Sequence, residues 1–358
     1  MMLRKMLFII FNLYATTLCA GTLHFPDACA KGQTLTIAAV GDILLHYPLQ
    51  VVGLKKGFTS LWEQTLPTFK SADIVYANLE GPIDAGKNVG TGFPLFNYPE
   101  TLAPALKQSG VTIVSTANNH ALDQSAKGID NTLSQLDKAG VKYVGSRARG
   151  SERPWSAIVE KNNFKIAWIA CTAHTNGITD THNQVLYCFK PKDRTTILNL
   201  VRDLKNQVDA VIVTPHWGEE YNNFPEKNQQ AFAKQLLDAG ALAVIGSHPH
   251  VLQPMEKYIT PDKRTTFIAY SLGNFVSYQG TVNQRTSVIL LLDLTKTQQG
   301  TVINGMRFVP LFMSNRAGLQ QLYVKYLENY AQNPILTRVL PDNVNGITAN
   351  PTHCSSIQ

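Results

Sequence analysis

His248 and His250 flank Pro249 in the segment GSHPHVLQP, residues 246–254, directly behind the apolar run ALAVIG. An apolar, β-rich run that ends on glycine reads as a buried strand emptying into a loop, so both imidazoles stand at a strand's exit. Imidazole nitrogen ligates borderline divalent cations and exchanges protons near neutral pH, which makes such a pair a candidate for metal binding or proton transfer. The same pair could equally cap loop carbonyls, so the other strand ends must decide between the two readings.

They repeat the pattern. Gly41 and Asp42 follow TIAAV, Asn78 and Glu80 follow DIVYA, and Asn118, Asn119, His120 and then Asp123 follow TIVSTA. His216 and Trp217 follow AVIVTP. Carboxylate, amide and imidazole donors without thiolate form the set that suits Mn, Fe or Zn in a hydrolytic centre. If the strands are neighbours in one sheet, their carboxyl ends bring these groups into one crevice. Of the adjacent Glu219 and Glu220 only one can face that crevice, and Glu220 is the expected one. Asn274, in SLGNF, suits a site-facing or a turn-capping role equally. Trp217 and Tyr221 are expected to pack the loops. His24, His174, His182 and His353 are expected in solvent, as is the basic loop of Arg147, Arg149 and Arg153.

The elements that must hold these residues alternate. Strand-like TLTIAAV, DIVYANL, VTIVSTA, VKYVG, FKIAWIACT, DAVIVTP, ALAVIG and TFIAYSL are interleaved with helix-like SLWEQTLPTFKSA, TLAPALKQSG, DNTLSQLDKAG, TTILNLVRDLKNQ and NQQAFAKQLLDAG. Such alternation implies β-α-β units and a layered α/β fold. Glycine closes the helices at KQSG, DKAG and LDAG, where a left-handed cap turns the chain into the next strand. Beyond Ser287 an antiparallel edge pair, SVILLLDL with INGMRFVPLF, and a helix over AGLQQLYVKYLENYAQ are expected.

In the order VGDILLH, DIVYANLEGPI, ANNHALD, PHWGEEY, DAGALAVIGSHPHVLQPMEKY and YSLGNFV, the stretch from about Thr34 to Tyr278 resembles the CapA capsule-synthesis family. These are the poly-gamma-glutamate biosynthesis proteins, whose domain is similar to the calcineurin-like metallophosphoesterases. The resemblance implies an α/β, four-layer α-β-β-α sandwich of two mixed sheets, with one or two divalent transition-metal ions (Mn, Fe or Zn) at the strand ends. Carried over residue by residue, it puts Asp42 on one ion, Glu80 at the bridging acid and Asn119 on the second ion. His216, His248 and His250 complete the ligand set, with His120 as the acid oriented by Asp123. Asn78, Glu220 and Asn274 are then the expected substrate contacts. The chain departs from the superfamily's D-x-H pattern at Leu44, with His46 two residues further on, and has Glu80 where the pattern has aspartate.

Two functions follow as expectations. One is a metal-dependent hydrolase that serves the synthesis, release or export of an acidic capsule polymer such as poly-gamma-glutamate. The other is a non-catalytic accessory that binds such a polymer, or other capsule-synthesis proteins at the membrane. The net charge of +7 agrees with an anionic polymer or small substrate. No arginine-rich run or aromatic-basic stripe points to nucleic acid.

The 358 residues, 44% hydrophobic and 16% charged, suffice for one large domain. Arg4 and Lys5 precede the apolar MLFIIFNLYATTL and the small CAG, the make-up of a secretory signal cleaved near Ala20, or of an uncleaved N-terminal anchor that would keep the exported protein on the membrane. The expected division is a signal over 1–20, a domain over 34–290, a strand and helix extension over 291–333 and a polar tail over 334–358. Without Cys19, the cysteines Cys29, Cys171, Cys188 and Cys354 remain, an even set that favours disulfides in an exported chain and leaves three pairings open. Pairing Cys171 with Cys188 would close a short loop.

Overall fold

The computed structural model describes residues 25–315, 322–327 and 335–336. The expected signal segment, Cys19, Cys354 and the tail beyond Leu336 lie outside the described residues. In chain order the strands are β1 (Gln33–Ile43), β2 (Ile74–Leu79), β3 (Ile113–Ser115), β4 (Lys142–Val144), β5 (Ser156–Lys161), β6 (Phe164–Thr172), β7 (Ala210–His216), β8 (Ala243–Ile245), β9 (Met255–Ile259), β10 (Thr265–Ala269), β11 (Asn274–Val276), β12 (Thr286–Thr297), β13 (Gly300–Ser314) and β14 (Tyr323–Tyr326). The helices are α1 (Tyr47–Lys56), α2 (Leu66–Lys70), α3 (Leu102–Gln108), α4 (Ser125–Ala139), α5 (Pro191–Leu204), α6 (Lys227–Ala239) and α7 (Val282–Arg285).

Two mixed sheets face each other, one ordered β14-β13-β12-β1-β2-β3-β4 with β11 pairing the end of β1, the other ordered β5-β6-β7-β8-β10-β9. Strand residues point alternately to opposite faces, and β6 shows what each face meets. Ile166, Trp168 and Ala170 enter the core between the sheets, where the Trp168 ring stacks on Tyr76 of β2 with centroids 5.1 Å apart. Ala167, Ile169 and Cys171 point the other way, toward Ile197 and Val201 of α5 and Phe232 and Leu236 of α6. Leu102 and Leu106 of α3, with Ile129 and Leu133 of α4, cover the opposite sheet, giving the four-layer α-β-β-α sandwich. Strands covered on both faces are apolar throughout, which is why they read as continuous hydrophobic runs in the sequence. Among the described residues no helix is long and apolar enough to cross a membrane.

Several expectations are corrected. SLWEQTLPTFKSA is not one helix: short 3-10 turns over Phe58–Leu61 and Glu63–Thr65 lead into α2, because Pro67 lacks an N–H and can stand only in a first turn. Of the helix expected over AGLQQLYVKYLENYAQ, only residues 322–327 are described, and there the chain is strand β14 at Tyr323–Tyr326, paired with Leu311–Ser314 of β13; the rest of that segment lies outside the described residues. Pairing that buries Val324 outweighs a weak helical period. The strands β12 and β13 do pair antiparallel, but not as an edge pair: β12 lies inside the sheet, in register with β1 from Gln33↔Lys296 to Ala39↔Leu290. The expected boundary at residue 290 therefore falls within β12. The sequence reading missed α1, β5, β9 and β11. Cys171 and Cys188 form a disulfide.

Candidate metal centre

The crevice lies between the two sheets, at strand ends contributed by both. Parallel pairing sets Asp42 of β1 beside Asn78 of β2 on one side and Asn274 of β11 on the other. β11 comes this close because residue 41 is glycine: a Cβ there would stand 1.8 Å from the Gly273 carbonyl oxygen. From the second sheet, His216 at the end of β7 bridges to Ser247, and the chain then turns through His248 at φ 101° and His250 at φ 58°. Left-handed backbone costs a non-glycine residue on the order of 1–3 kcal/mol. The strain at both positions swings two imidazoles toward Asp42 and Glu80, and the Tyr221 N–H bonding Pro249 O at 2.8 Å braces the turn.

Two ligand-like groups result, Asp42 with Glu80 and His250, and Glu80 with His216 and His248, all buried, the ligand atoms of each group lying within 4.8 Å of one another. Asn119 joins the second, its Oδ1 being 2.8 Å from His216 Nε2, which is itself 3.1 Å from His248 Nδ1. His250 Nδ1 is 3.2 Å from Asp42 Oδ2, and Glu80 Oε1 is 3.6 Å from His216 Nε2 and 3.7 Å from His250 Nε2. Nitrogen or oxygen ligands at roughly 2.0–2.2 Å from a cation stand roughly 3–3.5 Å from each other, the spacing found here. The fit is also chemical. Both Glu80 carboxylate oxygens are buried without a hydrogen-bond partner, as is Asn78 Oδ1, and buried polar atoms seldom go unpartnered unless an ion or water belongs beside them. Two imidazole nitrogens facing each other at 3.1 Å need a proton or a cation between them.

Supporting groups surround these residues. Asn78 Nδ2 donates to Asp42 Oδ1 at 2.8 Å, Ser247 Oγ lies 2.9 Å from His216 Nδ1, and Asn274 Oδ1 lies 3.0 Å from His250 Nδ1. Such outer partners fix ring orientation and tautomer. Asn78 and Asn274, expected to contact substrate, are fully buried and bond to the ligand-like residues instead. Glu220 is exposed.

His120 stands outside both groups. Its Nδ1 is 2.7 Å from Asp123 Oδ2, which also accepts the Phe96 N–H at 2.6 Å, and the ring packs edge-on against Phe96 with centroids 4.7 Å apart. The carboxylate thus holds one ring nitrogen and leaves the other available.

Burial dominates the electrostatics. It holds His216 and His248 well below the usual imidazole range, and neighbouring histidines add to the effect. His250 differs: burial opposes its charge, but the Glu80 and Asp42 carboxylates outweigh burial and push it up to about 9. Burial drives Glu80 well above the ordinary carboxylate range, relieved by His250 and reinforced by Asp42. Cation-free, the Glu80–His250 pair keeps hold of a proton.

The sequence reading missed three contributors. His174, expected in solvent, packs edge-on against His248 with centroids 5.2 Å apart. Asn176 accepts from Asn119 Nδ2 at 3.3 Å, and His46 packs edge-on against Phe96 with centroids 5.3 Å apart. His46 and His174 do carry the strand-end signal, standing three and two residues beyond β1 and β6, whereas Asn176 reaches the crevice from deeper in a loop that only the folded chain defines. Arg147 and Arg153 lie over the Trp155 and Tyr143 rings, and Arg149 pairs with Asp130, so the basic loop is not simply solvated.

A family model for the bacterial capsule synthesis protein PGA_cap matches residues 36–279. The chain belongs to this family. The PGA biosynthesis protein CapA of Bacillus subtilis (strain 168) is 31% identical over 302 residues, 82% of this chain and 76% of that protein. The capsule biosynthesis protein CapA of Bacillus anthracis is 30% identical over 321 residues, 85% of this chain and 75% of its own. Among solved structures, the NAD nucleotidase NadN of Haemophilus influenzae superposes on 86% of this chain and 55% of its own with a TM-score of 0.50 and 14% identity, a likeness of fold. Every ligand-like residue, from Asp42 to His250, lies within the family's matched segment.

Proposed function

We propose that this chain is an exported, metal-dependent hydrolase of capsule-polymer metabolism, acting on an acidic polymer such as poly-gamma-glutamate or on an anionic precursor of it. Asp42, Glu80 and His250 would hold one divalent transition-metal ion, and Glu80, Asn119, His216 and His248 a second, with Glu80 shared. The observation that carries this reading is the convergence of both groups on one buried carboxylate whose oxygens have no other partner. Strained backbone at His248 and His250 adds support, because a vestigial site would have no reason to retain it.

Bound ions would supply Lewis-acid polarisation of the scissile group and acidification of water. The protein's own residues do the rest. Asn78 and Asn274 keep Asp42 and His250 turned inward. Two divalent ions would outweigh the two carboxylates, leaving a net positive centre that attracts an anionic substrate. His120, held through Nδ1 by Asp123, presents Nε2 as the donor that protonates the leaving group.

Metal analysis of purified protein, combined with a hydrolysis screen with and without Mn²⁺, tests the proposal. One or two bound ions, reduced in His216→Ala, and Mn²⁺-dependent turnover are expected. His120→Asn should keep the metal but lose about two to four powers of ten in rate, least for activated leaving groups that need no proton. Metal-free protein whose melting temperature excess Mn²⁺ or Zn²⁺ does not raise would refute it.

A further inference from the structure

The loop between β6 and α5 is built to hold one position. The Cys171–Cys188 disulfide closes its base, and Thr172 N bonds Leu186 O at 2.9 Å while Cys188 N bonds Thr172 O at 2.8 Å. Leu186 N ties the returning arm to Gly145 O at 3.1 Å. Inside the loop Thr175 Oγ1 donates to Ile178 O at 2.7 Å, and Asp180 accepts from the Val185 N–H at 2.8 Å. At the tip, Asn176 takes a left-handed φ of 49° and its Oδ1 accepts from Asn119 Nδ2 at 3.3 Å.

That bond has a specific consequence. The two ends of an asparagine amide are nearly the same size and opposite in character, so Asn119 could offer either an oxygen or an NH₂ to His216. With Nδ2 engaged by Asn176, Oδ1 is the end that faces His216 Nε2 at 2.8 Å. The same loop sets His174 against His248, and the Asn176 N–H bonds His174 Nδ1 at 3.3 Å. Among the described residues the loop makes no hydrogen bond or ring contact with Asp42 or His250.

We propose that Asn176 is a positioning residue for one metal half-site: from a disulfide-closed loop it fixes the Asn119 carbonyl oxygen toward the ion held with Glu80, His216 and His248, and leaves the Asp42–Glu80–His250 half-site untouched. The inference rests on the metal reading above. Calorimetric titration of the full chain with Mn²⁺ tests it, comparing wild type with Asn176→Gly and Asn176→Asp. Glycine accepts the left-handed backbone and removes the side chain, whereas aspartate tolerates the same φ and keeps an acceptor for Asn119 Nδ2. Loss of a partner that orients a ligand typically lowers metal affinity about 10–100-fold. The expected result is that order of loss at one class of site in Asn176→Gly, recovery in Asn176→Asp, and equal melting temperatures of all three proteins in EDTA. A wild-type-like titration of Asn176→Gly, equal weakening of both classes, or failure of aspartate to recover affinity overturns it. Wild type that binds no Mn²⁺ overturns both this inference and the metal reading, whereas two-site binding unaltered in Asn176→Gly overturns this inference alone.

Discussion

Replacing Glu80 with glutamine separates what the crevice contributes to ion binding from what it costs the fold. Glu80 is 0% exposed, and neither carboxylate oxygen has a hydrogen-bond partner. Leaving a buried polar group unpaired costs about 1–3 kcal/mol, and more if it is charged. Glutamine keeps the shape, removes the charge and places an amide where Glu80 Oε1 stands, 3.6 Å from His216 Nε2. Cation-free Glu80→Gln should therefore be more stable than wild type by about 1–3 kcal/mol, a rise in Tm of about 1–4 °C for a chain of this size. The sign with pH follows from the direction of the Glu80 shift. A folded carboxyl held above its unfolded value binds its proton more tightly in the folded state, so wild-type stability falls as pH rises past the unfolded value, and the advantage of glutamine grows with it. Metal reverses the order. Each ion at about one hundred times its Kd adds about 2.7 kcal/mol to wild type, whereas glutamine removes the carboxylate that both groups share. Scanning calorimetry in EDTA and in excess Mn²⁺ reads both effects. A glutamine variant that melts below wild type in EDTA, or that Mn²⁺ stabilises as much as wild type, would refute the reasoning.

His46, which burial pushes from 6.5 down to about 4, stays neutral in the folded protein while the unfolded chain takes up its proton, so its contribution is complete above pH 6.5 and is lost as pH falls toward 4. His46→Gln should flatten acid destabilisation across that window by up to about 3 kcal/mol in denaturant titrations, and an unchanged slope would count against it. Cys171 and Cys188 are 17 positions apart, so joint replacement by serine should cost about 3 kcal/mol by loop-closure entropy and lower Tm without disturbing the sandwich, measurable by urea unfolding and circular dichroism. An unaltered urea midpoint would mean that the loop is ordered without the disulfide.

Much of the centre is legible in the sequence because its residues are anchored to strands. Asp42, Glu80, Asn119, His216, His248 and His250 each follow a run whose apolar character marks a strand covered on both faces, and a strand end can be placed from its own residues. The reading fails where a long-range partner decides. Tyr323–Tyr326 is a strand because β13 lies beside it, and β12 is interior because β1 accepts it. Asn78 and Asn274 have the residue types of substrate contacts, and only the packing of β1 against β2 and β11 turns them behind Asp42 and His250.

The division between sequence and tertiary structure thus follows the range of the forces involved. Alternation of apolar runs, glycine caps and the donors at each strand end are local properties, and they determine an α/β sandwich with an imidazole and carboxylate centre. Which sheet supplies which ligand-like residue, the sharing of Glu80 between two groups, and the entry of His174 and Asn176 from a disulfide-closed loop depend on contacts between residues far apart in the chain. Glu80 and His216 lie on different sheets, and their approach to 3.6 Å follows from how the core between the sheets packs, which no stretch of sequence encodes by itself.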